Sequence, residues 1–312
     1  MNRFAGALLI AAFALAPLCG DAQTPAPMTT LKLGVIPVEA AAEAFYALDM
    51  GFFKQQGLDV ELQMMNNGAS IAAAVAGGSL DVGFADTISI SSAHARGLPF
   101  VYLAPALLNS YTAPALAVLV NGSAPIHEPK DLNGKTIGVN GINNITMVPV
   151  EAWIDKSGGD SKSVKWIELP IQSQNDALAA GKVDGTVLGE PFITFGADKG
   201  QRALYMDKNA IAPRYVLAGF MTTTDWAAKN PLLATKFIAA IKATAQWANA
   251  NHAAAGAILA KYTKIPPAVV DRTKRGEYAE TLLASDFQPV IDAAAKYGVL
   301  PKAFPAPEFF YR

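Results

Sequence analysis

Three carboxylates and two asparagine-bearing loops stand where this chain turns from a strand towards a helix. Glu39 follows the apolar run Leu31 to Ile36 and Pro37, Asp86 follows Asp81 to Ala85, and Glu190 follows Asp184 to Leu188. The loops are Asn67-Gly68-Ala69-Ser70 and Asn140-Gly141-Ile142-Asn143-Asn144. Helix starts offer backbone N–H groups and partial positive charge, which suit polar or anionic ligand groups. Carboxylates suit the opposite chemistry, an amine, amidine or aminopyrimidine-type donor. No lysine or arginine stands in these tips, where either would be the natural reader of a sulfonate or carboxylate. A structural role is open for each group. Asn and Gly are ordinary turn residues, and Asp86 or Glu190 could serve only as a helix cap. Thr87, Gln172 and the aromatic residues Phe45, Tyr46, Tyr111 and Phe192 complete the candidate set. The aromatics could stack on a flat ligand or fill a core.

The elements that must position these groups come in two copies. Ala73 to Phe84 matches Ala177 to Val187, each an apolar helical run, a glycine, an aliphatic residue, an aspartate and a short apolar strand. The aspartates Asp81 and Asp184 lie 103 positions apart (184 − 81), and Gly34 and Gly138 lie 104 apart (138 − 34). The same offset of 103 sets Asp86-Thr87 against Gly189-Glu190. Alternating strands and helices predict parallel βαβ units. Two similar α/β lobes then face each other, and ligands bind beyond the carboxyl ends of the strands. The predicted first lobe comprises residues 31–114 and 218–312, and the second 115–217. Strands near Pro114 and Ala218 cross between them. Predicted strands in the second lobe are Ala115 to Val120, Thr136 to Val139, Val164 to Leu169 and Asp184 to Leu188, and Tyr215 to Thr222 carries the chain back. Long helices over Pro231 to Asn251 and Ala253 to Tyr262 complete the first lobe.

Composition narrows the function. Met1-Asn2-Arg3, the apolar stretch Phe4 to Leu18 and the small residues Gly20-Asp21-Ala22 predict a secretory signal peptide over 1–22, followed by a leader over 23–30. About 15 apolar residues are too few to cross a bilayer. Leu18 is bulky where lipid attachment at Cys19 would want a small residue, so a lipid anchor is not expected. Cleavage after Ala22 leaves no cysteine, which excludes a disulfide, a thiolate nucleophile and a cysteine-held zinc. The three histidines, His94, His127 and His252, are scattered, and no metal or cofactor is expected. A net charge of −1 with 16% charged residues argues against nucleic-acid binding. The chain contains no Gly-x-Ser-x-Gly elbow, phosphate-binding Walker loop or His-Glu-x-x-His.

The segment Ala47-Leu48-Asp49-Met50-Gly51-Phe52-Phe53-Lys54-Gln55-Gln56-Gly57-Leu58-Asp59-Val60-Glu61-Leu62 resembles the periplasmic binding proteins of the nitrate, sulfonate, taurine and thiamine-precursor group. Gly34-Val35-Ile36-Pro37, Lys130 to Val139 and Gly189-Glu190-Pro191-Phe192 are similar to that family too. The resemblance covers most of residues 31 to 250. It implies a type II periplasmic binding fold of two α/β lobes, each a mostly parallel sheet flanked by helices and joined by two crossover strands. It also implies a periplasmic, non-enzymatic subunit, expected to be a monomer, that closes on a small molecule and delivers it to an ABC permease and its ATPase. The carboxylates favour a nitrogen-containing heterocycle or amine as the solute. The alternative is a small anion such as an alkanesulfonate, taurine, nitrate or an aromatic carboxylate, held by helix N-termini or by Arg96 or Arg214. Eukaryotic thiamine-pyrimidine synthases share the fold but carry a cysteine-rich motif that this chain lacks.

Overall fold

The computed structural model describes residues 28–206 and 210–312. The expected signal peptide, Cys19 and most of the leader lie outside the described residues. In chain order the strands are β1 (Thr29–Val35), β2 (Leu58–Met64), β3 (Val82–Asp86), β4 (Phe100–Pro105), β5 (Leu108–Ser110), β6 (Leu116–Asn121), β7 (Thr136–Val139), β8 (Lys165–Glu168), β9 (Gly185–Gly189), β10 (Gln201–Tyr205), β11 (Arg214–Val216) and β12 (Ala218–Thr223).

Two five-stranded sheets form the lobes, in the orders β2-β1-β3-β12-β4 and β10-β6-β9-β7-β8. Read from opposite ends the two orders are the same. In each, β1 or β7 pairs in parallel with both neighbours. In each, one crossover strand, β12 or β6, runs antiparallel between two others. The fold is therefore the two-lobed α/β arrangement of periplasmic binding proteins, with four strands of each sheet in one direction and one reversed. The inner strands are buried along nearly their whole length, as in β3, β6 and β12, because helices cover each side of the sheet, while the edge strands β2, β8 and β10 are partly exposed.

Between the sheets, β5 and β11 form a separate antiparallel ribbon pairing Leu108 with Val216 and Ser110 with Arg214. The sequence pattern predicts one strand from Tyr215 to Thr222, where the structure has two, β11 and β12. Leu217 separates them, because its backbone N–H donates to Leu107 O and its carbonyl accepts from Thr87 N. β10 has no strand-like alternation and was not anticipated; it is fixed by its pairing with β6.

The helices Pro231–Ala250 and His252–Thr263 pack against the helix Ala42–Asp49, with Phe45 stacked on Tyr262 at 4.4 Å between centroids, and Phe53 of the short helix Phe52–Gln55 stacks on Phe237 at 5.8 Å. Phe45 and Tyr46 are thus core aromatics. A ring cluster of Tyr102, Phe287, Phe309 and Phe310 ties the C-terminal end to β4. A smaller core in the second lobe gathers Val118, Ile137, Val139, Trp153 and Ile154.

Candidate functional site

The repeated aspartates are structural, and they show why the repeat exists. Asp81 accepts the β1 N–H of Lys32 at 2.8 Å and returns its own N–H to Lys32 O at 3.0 Å. Asp184 does the same with Thr136 of β7, at 2.8 Å in both directions. Each aspartate locks the start of its strand to the neighbouring strand, which aims both strand ends at the space between the lobes.

A cavity of about 70 Å³ lies there. Its lining includes Glu39, Asp86, Asn140, Asn144, Glu190 and Phe192, together with an apolar surround of Ile36, Val38, Phe84, Leu116, Ile145, Leu188 and Leu217. Thr146 also lines it. Among the described residues no lysine, arginine or histidine does.

Asp86 caps the helix Thr87–Ala95, accepting Ser89 N at 3.0 Å and Ser89 Oγ at 2.5 Å. The same carboxylate reaches across the cleft to accept Ile145 N at 3.2 Å. Burial pushes its pKa up, and these hydrogen bonds only partly offset the rise. Glu190 precedes a cis bond to Pro191 and accepts Thr194 N at 3.0 Å and Thr194 Oγ1 at 2.9 Å. Burial raises its pKa as well, with the Thr194 bonds opposing and the charge of Glu39 adding to the rise. Asp86 therefore caps its helix and Glu190 accepts from the first turn of the next one, while both line the cavity.

Glu39 is held differently. Its Oε1 accepts Arg275 Nε at 2.6 Å and Gly276 N at 3.3 Å, and its carbonyl accepts the Tyr278 hydroxyl at 2.8 Å. Arg275 also donates to the Tyr46 hydroxyl. The pair is almost fully buried, with side chains 9% and 4% exposed for Arg275 and Glu39. On the opposite wall, Asn140 Oδ1 accepts Asn144 Nδ2 at 3.0 Å and Thr146 Oγ1 at 3.1 Å.

The remaining candidates lie outside the lining. Asn67 caps the helix Gly68–Ala76 through Ser70 N at 2.9 Å and donates across the cleft mouth to Glu168 Oε1 at 3.3 Å. Gly68 packs so tightly on β3 that a Cβ there would sit 2.9 Å from that of Ala85, while Ala69 and Ser70 face solvent. Thr87 is buried and donates to Val216 O at 2.9 Å. Pro37 is half-buried between two lining residues, and Asn143, with φ of 59°, is exposed. Tyr111 and Gln172 are exposed. Arg96 is exposed at the end of its helix, and Arg214 pairs with Glu277 and Asp286; neither lines the cavity. The basic residue that does stand behind the wall, Arg275, was not foreseen. It lies 236 positions from Glu39, and its only sequence signal is the basic turn Lys274-Arg275-Gly276.

Among the described residues no helix is long and apolar enough to cross a membrane, and no group of three or more acidic or histidine side chains could hold a metal ion. Comparison with known proteins places the fold. The alkanesulfonate-binding protein SsuA of Xanthomonas axonopodis pv. citri superposes with a TM-score of 0.75 at 20% identity, over 92% of this chain and 99% of that one. The nitrate-binding protein NrtA of Synechocystis PCC 6803 gives 0.74 at 18% identity, over 90% and 84%. The 4-amino-5-hydroxymethyl-2-methylpyrimidine phosphate synthases THI11 and THI5 of Saccharomyces cerevisiae are 31% identical over 109 residues. That match spans 35% of this chain and only 31% of either enzyme. The NMT1/THI5-like family model matches residues 40–255. The two equivalent sheets, the interlobe cavity and this match over more than half the sequence agree, and the chain belongs to the NMT1/THI5-like family.

Proposed function

We propose that this protein is the periplasmic, substrate-capturing subunit of an ABC importer, and that it closes around a small, flat, nitrogen-containing solute. The fold it shares with SsuA and NrtA supports the transport role. The observation that carries the solute class is the state of the cavity's charges. Among the described residues its ionisable lining consists of carboxylates alone, and Arg275, which touches Glu39, is already paired with it.

Asp86 and Glu190 keep carboxylates in a place where burial disfavours ionisation. A ligand amine, amidinium or aminopyrimidine would relieve that desolvation by donating to them. The apolar surround and Phe192 suit a flat ring between the donors.

An anion meets worse conditions. The helix N-termini at the cleft are capped internally by Asn67 and Asp86, and Thr194 N, in the first turn of the helix Phe192–Asp198, is held by Glu190. The backbone N–H of Ile145 is held by Asp86. The names of SsuA and NrtA favour a sulfonate or nitrate ligand by fold alone, and the carboxylates oppose that choice. The partial match to the yeast synthases carries no activity over, since the chain has a single cysteine, Cys19, in its expected signal peptide.

Lobe 31–114 with 218–312, and lobe 115–217, would hinge at the β5–β11 ribbon. A thermal-shift screen tests the reading. A ligand at a hundredfold excess over its Kd should stabilise the protein by about 2.7 kcal/mol. Nitrogen heterocycles should score and pass through unaltered. Chemical turnover of a hit by the isolated protein would contradict the transport role.

A further inference from the structure

One wall of the cavity carries an amide whose orientation is fixed from the backbone. The loop after β7 contributes Asn140, Asn144 and Thr146 to the lining. The Thr146 backbone N–H donates to Asn144 Oδ1 at 2.9 Å. A backbone N–H is a donor, so this bond fixes which end of the Asn144 amide is oxygen. Asn144 is buried, and its nitrogen donates to Asn140 Oδ1 at 3.0 Å. That second bond fixes the Asn140 amide in turn. Thr146 Oγ1 lies 2.7 Å from Asn144 Oδ1 and 3.1 Å from Asn140 Oδ1, and its single proton serves this pair. The Asn140 oxygen is therefore occupied within the loop. Its Nδ2, with two N–H groups, has no acceptor among the described residues. The same loop donates Ile145 N to Asp86 across the cleft, so amide and carboxylate belong to one connected wall.

We infer that Asn140 is a specificity-determining residue of the cavity, and that its amide donates to an acceptor atom on the solute beside the carboxylates that take the solute's N–H groups. The inference rests on the nitrogenous solute proposed above and narrows it. Carboxylates alone accept from any amine, and a cation carrying only donors would suit them best. The Asn140 amide changes that ranking. A solute that offers donors alone covers the amide nitrogen and leaves its N–H groups without a partner, which costs binding. A flat solute with a ring nitrogen next to an amino group satisfies both kinds of wall. Because the Asn140 oxygen is held by Asn144 and Thr146, the amide does not turn over to accept from the other kind of solute.

Calorimetric titration of the full-length protein with 4-aminopyrimidine and with aniline tests this. Both are flat six-membered rings bearing an amino group, and aniline lacks the ring acceptors. Wild type should prefer 4-aminopyrimidine by about tenfold or more. Asn140→Asp keeps an oxygen for Asn144 and Thr146 but puts an acceptor where the unpartnered donor stood. It should weaken 4-aminopyrimidine by about tenfold or more and change aniline by less than about threefold, which erases the preference. Asn140→Ala removes the donor without adding charge and should erase the preference as well. Thermal unfolding checks that each variant is folded, and either variant alone carries the comparison. A preference that survives the substitutions, or an equal loss of both probes, overturns the role of Asn140. Equal affinity of wild type for the two probes also overturns it, and leaves the nitrogenous-solute reading standing. Binding of neither probe to wild type removes that reading and the inference with it.

Discussion

The two lobes are the same scaffold carrying different chemistry. Their sheets share one strand order, and Asp81 and Asp184 make the same two-way clamp on Lys32 and Thr136. The lobes diverge at the groups that face the cavity. At the offset of 104 that relates Gly34 to Gly138, Glu39 corresponds to Asn143 and the buried Glu43 to Met147. The first lobe puts a paired acid on the cavity wall, where the second lobe has an exposed asparagine. The partner of that acid comes from the turn Lys274-Arg275-Gly276, in a C-terminal segment for which the second lobe has no counterpart. Repetition accounts for the frame, and departures from it account for the site.

The largest effect should come from breaking the pair that exists in only one lobe. Arg275→Met leaves the Glu39 carboxylate buried without its cation, and about 3–5 kcal/mol of stability should be lost in urea unfolding. Adding Glu39→Gln to that variant should recover most of the loss. Failure of the double variant to recover would show that the arginine acts by packing and not by charge.

Glu43 offers the reverse comparison. It is fully buried, neither oxygen has a hydrogen-bond partner, and burial raises its pKa well above 4.5. With the folded pKa above the unfolded one, the native state holds a proton that the unfolded chain releases. Stability is then fully present below about pH 4.5 and falls as pH rises through the folded value. Glu43→Met, the residue at the matched position 147, should remove that slope and stabilise the protein by about 1–3 kcal/mol near neutral pH. Thermal unfolding of the two proteins from pH 4 to 8 reads it, and parallel curves would contradict the buried-acid account.

The matched clamps should differ in a graded way. Asp81→Asn should cost about 1–2 kcal/mol, because Asp81 also accepts Trp226 Nε1 at 2.9 Å. Asp184→Asn should cost less, since Asp184 is exposed and has no such second donor among the described residues. Equal losses would show that the tryptophan bond adds nothing.

Much of this frame was legible in the sequence because its cause is local. A strand that needs its first N–H clamped takes an aspartate just after the turn of the preceding helix, so the clamp leaves a fixed spacing twice in the chain. Asp86 and Glu190 were legible for the same reason, as acids at equivalent strand ends. The loop Asn67 to Ser70 was recognisable as a helix start, but its amide and N–H serve the cap and the cleft-mouth bond and leave the cavity lining to apolar neighbours. Arg275 was not legible, because nothing near it in the chain needs a guanidinium. Its requirement is set by Glu39, which only the tertiary fold brings close.

The smallest effect concerns the closed arrangement of the lobes. Asn67→Ala removes the bond to Glu168 that spans the cleft mouth, and ligand affinity should fall by no more than a few-fold, about 0.5–1 kcal/mol. A change of a hundredfold would mean that Asn67 touches the ligand.

The most direct test of the central claim is calorimetric titration of an aminopyrimidine against wild type, Glu190→Gln and Asp86→Asn, with an alkanesulfonate in parallel. Donation to the cavity carboxylates predicts that the aminopyrimidine binds and the sulfonate does not. Glu190→Gln should then weaken binding by about 1.5–3 kcal/mol, and wild-type affinity should fall as pH drops through the raised pKa values of the two acids. Micromolar binding of the sulfonate, unchanged in Glu190→Gln, would contradict the account.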